Sequence, residues 1–366
     1  MAGRYLSPFE HAKAEERWGA YPLVQICHIN LARGYRGGER QTELLIRELA
    51  RREVVQRAVV RAGEPLADRL ADVERLTLIK LDKPFTAGLR HVKGDILHAH
   101  ESRAAQLAWC RGWLSKTPYV VTRRIGKRPG NSWLTRSVYR RAAACVGVAG
   151  SVARTVADYA HRDTDTIYSA LSDLPVDPQR RDQLRQRWGD AFVVVNVAAL
   201  VNSQKGQSHL IEVARQASIR EPRLHFVLVG SGKDRAILEK QASGLPNLEF
   251  AGFVDNVGDY LAAADAFALP SLHEGIGGAA LDAMNAGLPV IASAVDGLPE
   301  FVEDGVNGIL VEPGDEQGLL AATLRMFEDS TARQRMARAG RETALGFSVG
   351  HMADAYQALY RRIMPT

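Results

Sequence analysis

Two carboxylates and a cluster of glycines stand together in the segment His273–Pro299, HEGIGGAALDAMNAGLPVIASAVDGLP. Glu274 precedes a turn made of Gly275, Gly277 and Gly278. Ala279 and Ala280 then lead into a small-residue helix that carries Asp282 and stops at Gly287. A glycine-rich turn that feeds a helix N-terminus collects free backbone N–H groups and the positive end of the helix dipole, which makes a cradle for an anion. Glu274 and Asp282 are eight residues apart, about two helical turns and at most roughly 80° around the axis. Both can therefore face one ligand, one at each end. A phosphate in the cradle and hydroxyls on the carboxylates describe a nucleotide-sugar.

Such groups need a scaffold that brings loops together, and the chain alternates short apolar runs with helical patterns, which implies βα units and parallel sheets. Leu23–Ile29, Val54–Val60, Leu76–Leu81, Asp95–Ala99, Tyr119–Thr122 and Cys145–Val148 read as strands. Glu39–Arg51, Ser102–Trp113 and Asn131–Arg141 read as helices between them. Pro175-Val176-Asp177-Pro178 marks a linker. A second series follows: strands at Phe192–Ala198, Leu224–Val229, Leu248–Phe250, Ala266–Leu269, Pro289–Ala292 and Gly308–Val311, a helix at Ser208–Ala217, and helices over 316–362. The organisation expected is a variable leader over 1–20, a doubly wound domain over 21–177, and a second over 178–349. Residues 350–366 are free to pack back on the first domain through Met352, Tyr356, Leu359 and Tyr360.

A length of 366 residues suits two domains better than one core. Cys27, Cys110 and Cys145 have no metal or redox spacing, which argues for a reducing compartment. The N-terminus has no apolar signal region, and no apolar run approaches about 18 residues, so neither export nor a membrane span is expected. Residues 1–177 hold 29 Lys and Arg against 19 Asp and Glu, a net of +10, whereas the remainder has a net of −5. No acidic residue lies between Glu101 and Asp158, but eleven basic ones do. This one-sided field favours an anionic partner, a membrane surface or phosphorylated glycolipid, unless it is simply a solvated basic face. No basic-aromatic motif for nucleic acid is present. Oligomeric state is left open.

The segment around Glu274 resembles family GT4, the retaining glycosyltransferases of the GT-B fold, which carry the pattern EGxGxxxLEAMAxGxPVIA. The similarity extends to Phe226–Gly232, Phe250–Val254, Gly297–Glu300 and Val306–Val311, and more weakly to Gly37-Gly38-Glu39 and Asp95–Glu101. It implies an α/β chain of two Rossmann-like domains facing a cleft, with the C-terminal helix crossing back to the first. By this resemblance Glu274 contacts the hydroxyls of the transferred sugar, Asp282 the ribose, and His100, at the end of a strand, the sugar near its reacting carbon. His98, one layer deeper, reads as a hydrogen-bonded core residue. Lys205 corresponds to the family's diphosphate-binding lysine. Gly37, Gly38, Gly230, Phe253, Val254, Gly277, Gly278 and Ala279 belong to donor-binding turns. Glu300 either lines the same pocket or is a solvent carboxylate.

Two positions depart from the family. Asp282 replaces a glutamate, and Ala199 stands where an arginine is usual. Either another cation substitutes, with Arg33, Arg36, Arg123 and Arg124 as candidates for phosphate or acceptor contacts, or Lys205 and the Gly277–Ala280 amides hold the diphosphate. The expected reaction is metal-independent front-face transfer from a nucleotide-sugar, a UDP-sugar first, with no resident cofactor and no metal ligands. The acceptor expected is an anionic glycolipid, such as a lipopolysaccharide core, and the location is the inner face of the cytoplasmic membrane. Transfer to a soluble acceptor, as in disaccharide or glucan synthesis, and a catalytically silent glycan-binding relative are the alternatives. Asp163-Thr164-Asp165 has the form of a metal-binding triplet but reads as a polar turn. Gly230-Ser231-Gly232 lacks the third glycine of a dinucleotide site. Trp109 and Trp113 read as core.

Overall fold

The computed structural model describes residues 24–364. The leader expected over 1–20 lies outside them. The described chain forms two units. One runs up to Ala170 and resumes at Phe347; the other is Leu171–Gly346.

The first unit holds a seven-stranded parallel sheet: β1 Gln25–Asn30, β2 Val55–Arg61, β3 Leu76–Leu81, β4 Ile96–Ala99, β5 Tyr119–Arg123, β6 Ala144–Gly147 and β7 Asp165–Thr166, in the order β3-β2-β1-β4-β5-β6-β7. The second holds six parallel strands: β8 Phe192–Val197, β9 Leu224–Val229, β10 Leu248–Gly252, β11 Ala266–Leu269, β12 Val290–Ser293 and β13 Gly308–Val311, ordered β10-β9-β8-β11-β12-β13. In each unit the order reverses beside the first strand, between β1 and β4 and between β8 and β11. Loops after those strands diverge there and leave a crevice at the carboxyl ends, where ligands bind in open α/β sheets. These are the two Rossmann-like units of the GT-B reading. Strands β4, β6, β11 and β12 are buried at every residue, so they read as continuous apolar runs rather than alternating ones.

The helix Val349–Ile363 returns to the first sheet. The Ser348 hydroxyl caps it by accepting the His351 N–H at 3.1 Å. Met352, Ala353, Tyr356, Leu359 and Tyr360 recur at helical spacing and are all buried in the same core as Val24, Ile26, Ile96, Val120 and Val146. Each large apolar side chain buried this way contributes about 1.5–3 kcal/mol.

The units divide at Ala170/Leu171 and Gly346/Phe347, whereas the composition put the joints at 177/178 and 349/350. Residues 171–177 are tied into the second unit. The Ser172 N–H donates to Asp282 at 2.7 Å and the Asp177 N–H to Asp259 at 2.6 Å, and the Pro175 carbonyl lies where Gly258 leaves no room for a Cβ. The prolines mark extended chain, not the point where contacts change owner. The helices Gly150–Ala160, Pro178–Trp188, Arg235–Gln241 and Val257–Ala263 are additional to those read from the sequence. Trp109 is half-buried and its Nε1–H donates to Ser137 at 3.2 Å, but Trp113, expected in the core, is 69% exposed. Asp165 pairs with Arg362 at 2.6 Å.

Candidate active site

In the second unit the loops after β8 and β11 are fastened to each other. The Gln204 carbonyl accepts the N–H groups of Leu272 at 2.8 Å and His273 at 3.0 Å. Gly206 closes the short helix Asn202–Lys205 with φ +61°, and a Cβ there would collide with the Pro270 carbonyl. Only glycine allows this approach at this backbone angle. The result is that Lys205 Nζ meets Glu274 Oε1 in an ion pair although the two are 69 residues apart. The Ser271 hydroxyl donates to the same oxygen at 2.9 Å, and the Glu274 N–H donates to Asp296 at 2.7 Å. The Glu274 side chain is only 8% exposed. A carboxylate so desolvated persists because the ammonium and the hydroxyl compensate it.

Gly277, at φ +85°, precedes the helix Gly278–Asn285 and would drive a Cβ into Leu298. The first N–H groups of that helix, those of Gly278 and Ala279, have no carbonyl upstream within it, so the anion cradle lies a few residues from Glu274. Gly230, at φ +141°, ends β9 against the Ala198 carbonyl. Ala199 has no charge to offer; its carbonyl accepts the Gln207 side-chain amide at 2.9 Å. Asp282 lies on the same helix, and its Oδ1 is engaged by the Ser172 N–H. Glu300, in the turn Leu298–Glu300, is half-buried. Phe253 follows β10 and is exposed; Val254 is half-buried.

In the first unit three histidines occupy the crossover point. His28 of β1 is in register with His98 of β4, and His100 follows β4. His28 Nδ1 and His100 Nε2 are 3.0 Å apart, and His100 Nδ1 is 3.2 Å from Arg124 Nη2. An arginine only donates, so His100 Nδ1 accepts and the His100 proton is on Nε2, directed at His28 Nδ1. The His28 proton is then on Nε2, which is buried without a hydrogen-bond partner. His98 is the core residue expected: Nδ1 meets the Tyr360 hydroxyl at 2.6 Å and Nε2 the Thr122 hydroxyl at 2.7 Å, and Thr122 reaches Tyr356 at 3.0 Å. Burial keeps all three rings neutral, with His28 lowered to about 3 and His98 and His100 well below the usual value. The three ligand nitrogens lie within 4.8 Å of one another, but their hydrogen bonds and the adjacent guanidinium make this a structural network rather than an open cation site.

The Arg124 stem crosses Gly38, whose absent Cβ would lie 3.3 Å from Arg124 Cδ. Gly37 and Gly38 begin the helix Gly37–Arg51, where Glu39 accepts the Arg36 N–H at 2.9 Å. Gly37, Gly38, His100 and Arg124 thus share one corner of the first unit. Arg33 and Arg36 are exposed at the turn before that helix. Arg123 is elsewhere. It alternates with Thr122 along β5, so it points to the opposite face of the sheet. The sequence reading missed His28 and the Tyr356–Thr122–His98 chain. The period-2 spacing of His98 and His100 was the available signal, but the partner strand was not.

A family model described as glycosyl transferases group 1 matches residues 191–329. The lipopolysaccharide core biosynthesis glycosyltransferase LpsE of Rhizobium meliloti (strain 1021) is 31% identical over 342 residues, 88% of this chain and 95% of the relative. LpsD of the same organism, of the same description, is 28% identical over 93% of this chain and 98% of its own length. Among solved structures, Anabaena Alr3699/HepE in complex with UDP and glucose superposes with a TM-score of 0.82 at 20% identity, over 93% of this chain and all of that one.

Proposed function

The chain belongs to the group 1 glycosyltransferases and is a glycosyltransferase, and from that premise we propose that it moves a sugar, with retention and without a metal, from a UDP-sugar to an anionic glycolipid of lipopolysaccharide-core type. The observation that carries the reading is the Lys205–Glu274 pair beside the Gly277–Ala279 helix start. When the glycosidic bond to the nucleotide breaks, negative charge builds on the diphosphate and positive charge on the sugar. Lys205 and the helix amides stabilise the first. Glu274 accepts hydroxyl hydrogen bonds from the second. The departing phosphate oxygen takes the acceptor's proton on the same face, so no dedicated base is required. Within the second unit, Asp282 serves the ribose.

The names of LpsE and LpsD support a lipopolysaccharide-core acceptor, and the UDP and glucose in the HepE complex support a UDP-sugar. No helix among the described residues is long and apolar enough to cross a membrane. We place the enzyme at the cytoplasmic face, held by its basic first unit.

The test is thermal stabilisation by UDP, GDP, ADP and their sugars with and without EDTA. A ligand at about 100 times its dissociation constant adds about 2.7 kcal/mol. An EDTA-insensitive shift with UDP is expected. A shift with GDP alone would replace the donor, loss of the shift in EDTA would remove the metal-free mechanism, and no shift with any nucleotide would sink the donor reading.

A further inference from the structure

Arg123 ends β5 and is only 7% exposed. Its Nη1–H donates to the Tyr139 hydroxyl at 3.3 Å and its Nη2–H to the Lys127 carbonyl, while Nε is buried with no hydrogen-bond partner. No carboxylate among the described residues pairs with it. A guanidinium taken out of water without a counter-charge is costly. Here two hydrogen bonds to neutral groups offset part of that cost and no counter-charge does. Arg123 borders a cavity of about 230 Å³ whose other walls include Ser102, Gln106, Ile125, Lys127, Arg128 and Tyr139. Two more cations therefore face the same space, and no acidic residue lines it.

The surroundings have a second character. Two large apolar side chains next to the cavity are exposed to solvent: Ile125, which lines it, and Trp133. Trp133 opens the helix Trp133–Arg141, which supplies Thr135, Val138 and Tyr139 to the cavity wall. Exposed tryptophan and basic residues together suit the boundary between water and lipid, where amphipathic rings sit at headgroup level.

We propose that this cavity is a phosphate-binding site, seated on Arg123 and closed by Lys127 and Arg128, for a phosphoryl group carried by the acceptor. At about 30 Å³ per water the space holds about eight waters, which fits a phosphate with part of its attached headgroup and is below the size of a pocket for a whole ligand. Arg123 offers phosphate the Nη N–H groups that Tyr139 and Lys127 do not use, and the two exposed cations supply charge at the rim. The phosphate is borne either by a lipid at a bilayer or by a free phosphorylated sugar. That the phosphate belongs to an acceptor rests on the transfer reaction proposed above; oxyanion binding does not, and donor-free protein tests it.

Inorganic phosphate is titrated into the full chain by calorimetry, against chloride at equal ionic strength. Saturable binding is expected. It should weaken at least about tenfold in the Lys127→Gln/Arg128→Gln variant, whose altered residues are exposed, and vanish in Arg123→Gln. Binding no stronger than chloride, or unchanged in the double variant, or lost in Lys205→Ala instead, overturns the site. Flotation with phosphatidylcholine vesicles with and without phosphatidic acid then separates the sources. Retention that requires phosphatidic acid and is lost in the double variant supports a lipid-borne phosphate; saturable phosphate binding without retention supports a soluble one.

Discussion

At the scale of single residues, Lys205 and Glu274 cannot be treated as independent contributors. Their charges neutralise each other in a desolvated corner, so each variant leaves the other charge uncompensated as well as removing its own function. Lys205→Ala is expected to lower transfer by about 10²–10³ and to weaken UDP binding, the scale of losing one donor to a developing phosphate charge. Glu274→Gln, which keeps the shape, should abolish transfer while UDP affinity stays within a few-fold. Steady-state kinetics beside UDP titration would separate them; equal loss of affinity in both variants would show that the pair acts only as a structural tie. The histidine network makes a different kind of demand. His28, His98 and His100 have folded pKa values below those of the unfolded chain, because burial disfavours the charged ring. The unfolded chain therefore binds more protons below about pH 6.5, and stability present above that pH is lost as pH falls from 6.5 toward the folded value of about 3 for His28. The slope is about 1.4 kcal/mol per pH unit for each proton. Urea midpoints between pH 7.5 and 4.5 should fall steeply, and less steeply in His28→Gln. A flat profile would mean that water reaches the rings.

At the scale of elements, two loops and one helix do the positioning. Gly206→Ala meets both an adverse φ and the Pro270 carbonyl, so a loss of about 1–3 kcal/mol is expected. UDP affinity should fall with it, since the β8 loop can no longer hold Lys205 against the β11 loop. Unchanged melting would show that the loop relaxes freely. Tyr360→Phe removes the partner of His98 Nδ1 and should cost about 1–3 kcal/mol in the first unit, read as faster amide exchange in β4. These contacts also mark how far the sequence could be read. Strands β9, β11 and β13 and the turn at Glu274 were legible to the residue, because buried strands are short apolar runs and glycine turns are chemically conspicuous. The helix Pro178–Trp188 was not read, although Asp177, which accepts the Gln179 N–H at 2.9 Å, and Pro178 form a recognisable start. Its exposed face carries no apolar stripe. The Lys205–Glu274 contact and the use of Asp282 by Ser172 were beyond reach, since each depends on which loops become neighbours rather than on any local pattern.

At the scale of the molecule, charge and connectivity are unevenly distributed. The excess of cations belongs to the first 177 residues, and it argues for association that weakens as salt rises, because exposed charges are screened beyond about 10 Å at 0.1 M. The first unit is also discontinuous. It needs both the chain before Leu171 and the helix Val349–Ile363. During synthesis, at about 5–20 residues per second, the ribosome takes roughly 10–40 s to travel from Ala170 to Ile363. Through that interval the polar seam of His98 and Thr122 has neither tyrosine hydroxyl to meet it. The second unit, finished at Gly346, has all its strands before Tyr356 and Tyr360 exist. The domain begun first is the one completed last, so the nascent chain passes through a stage in which a closed second half trails an unsealed first half, a natural point for a chaperone to hold.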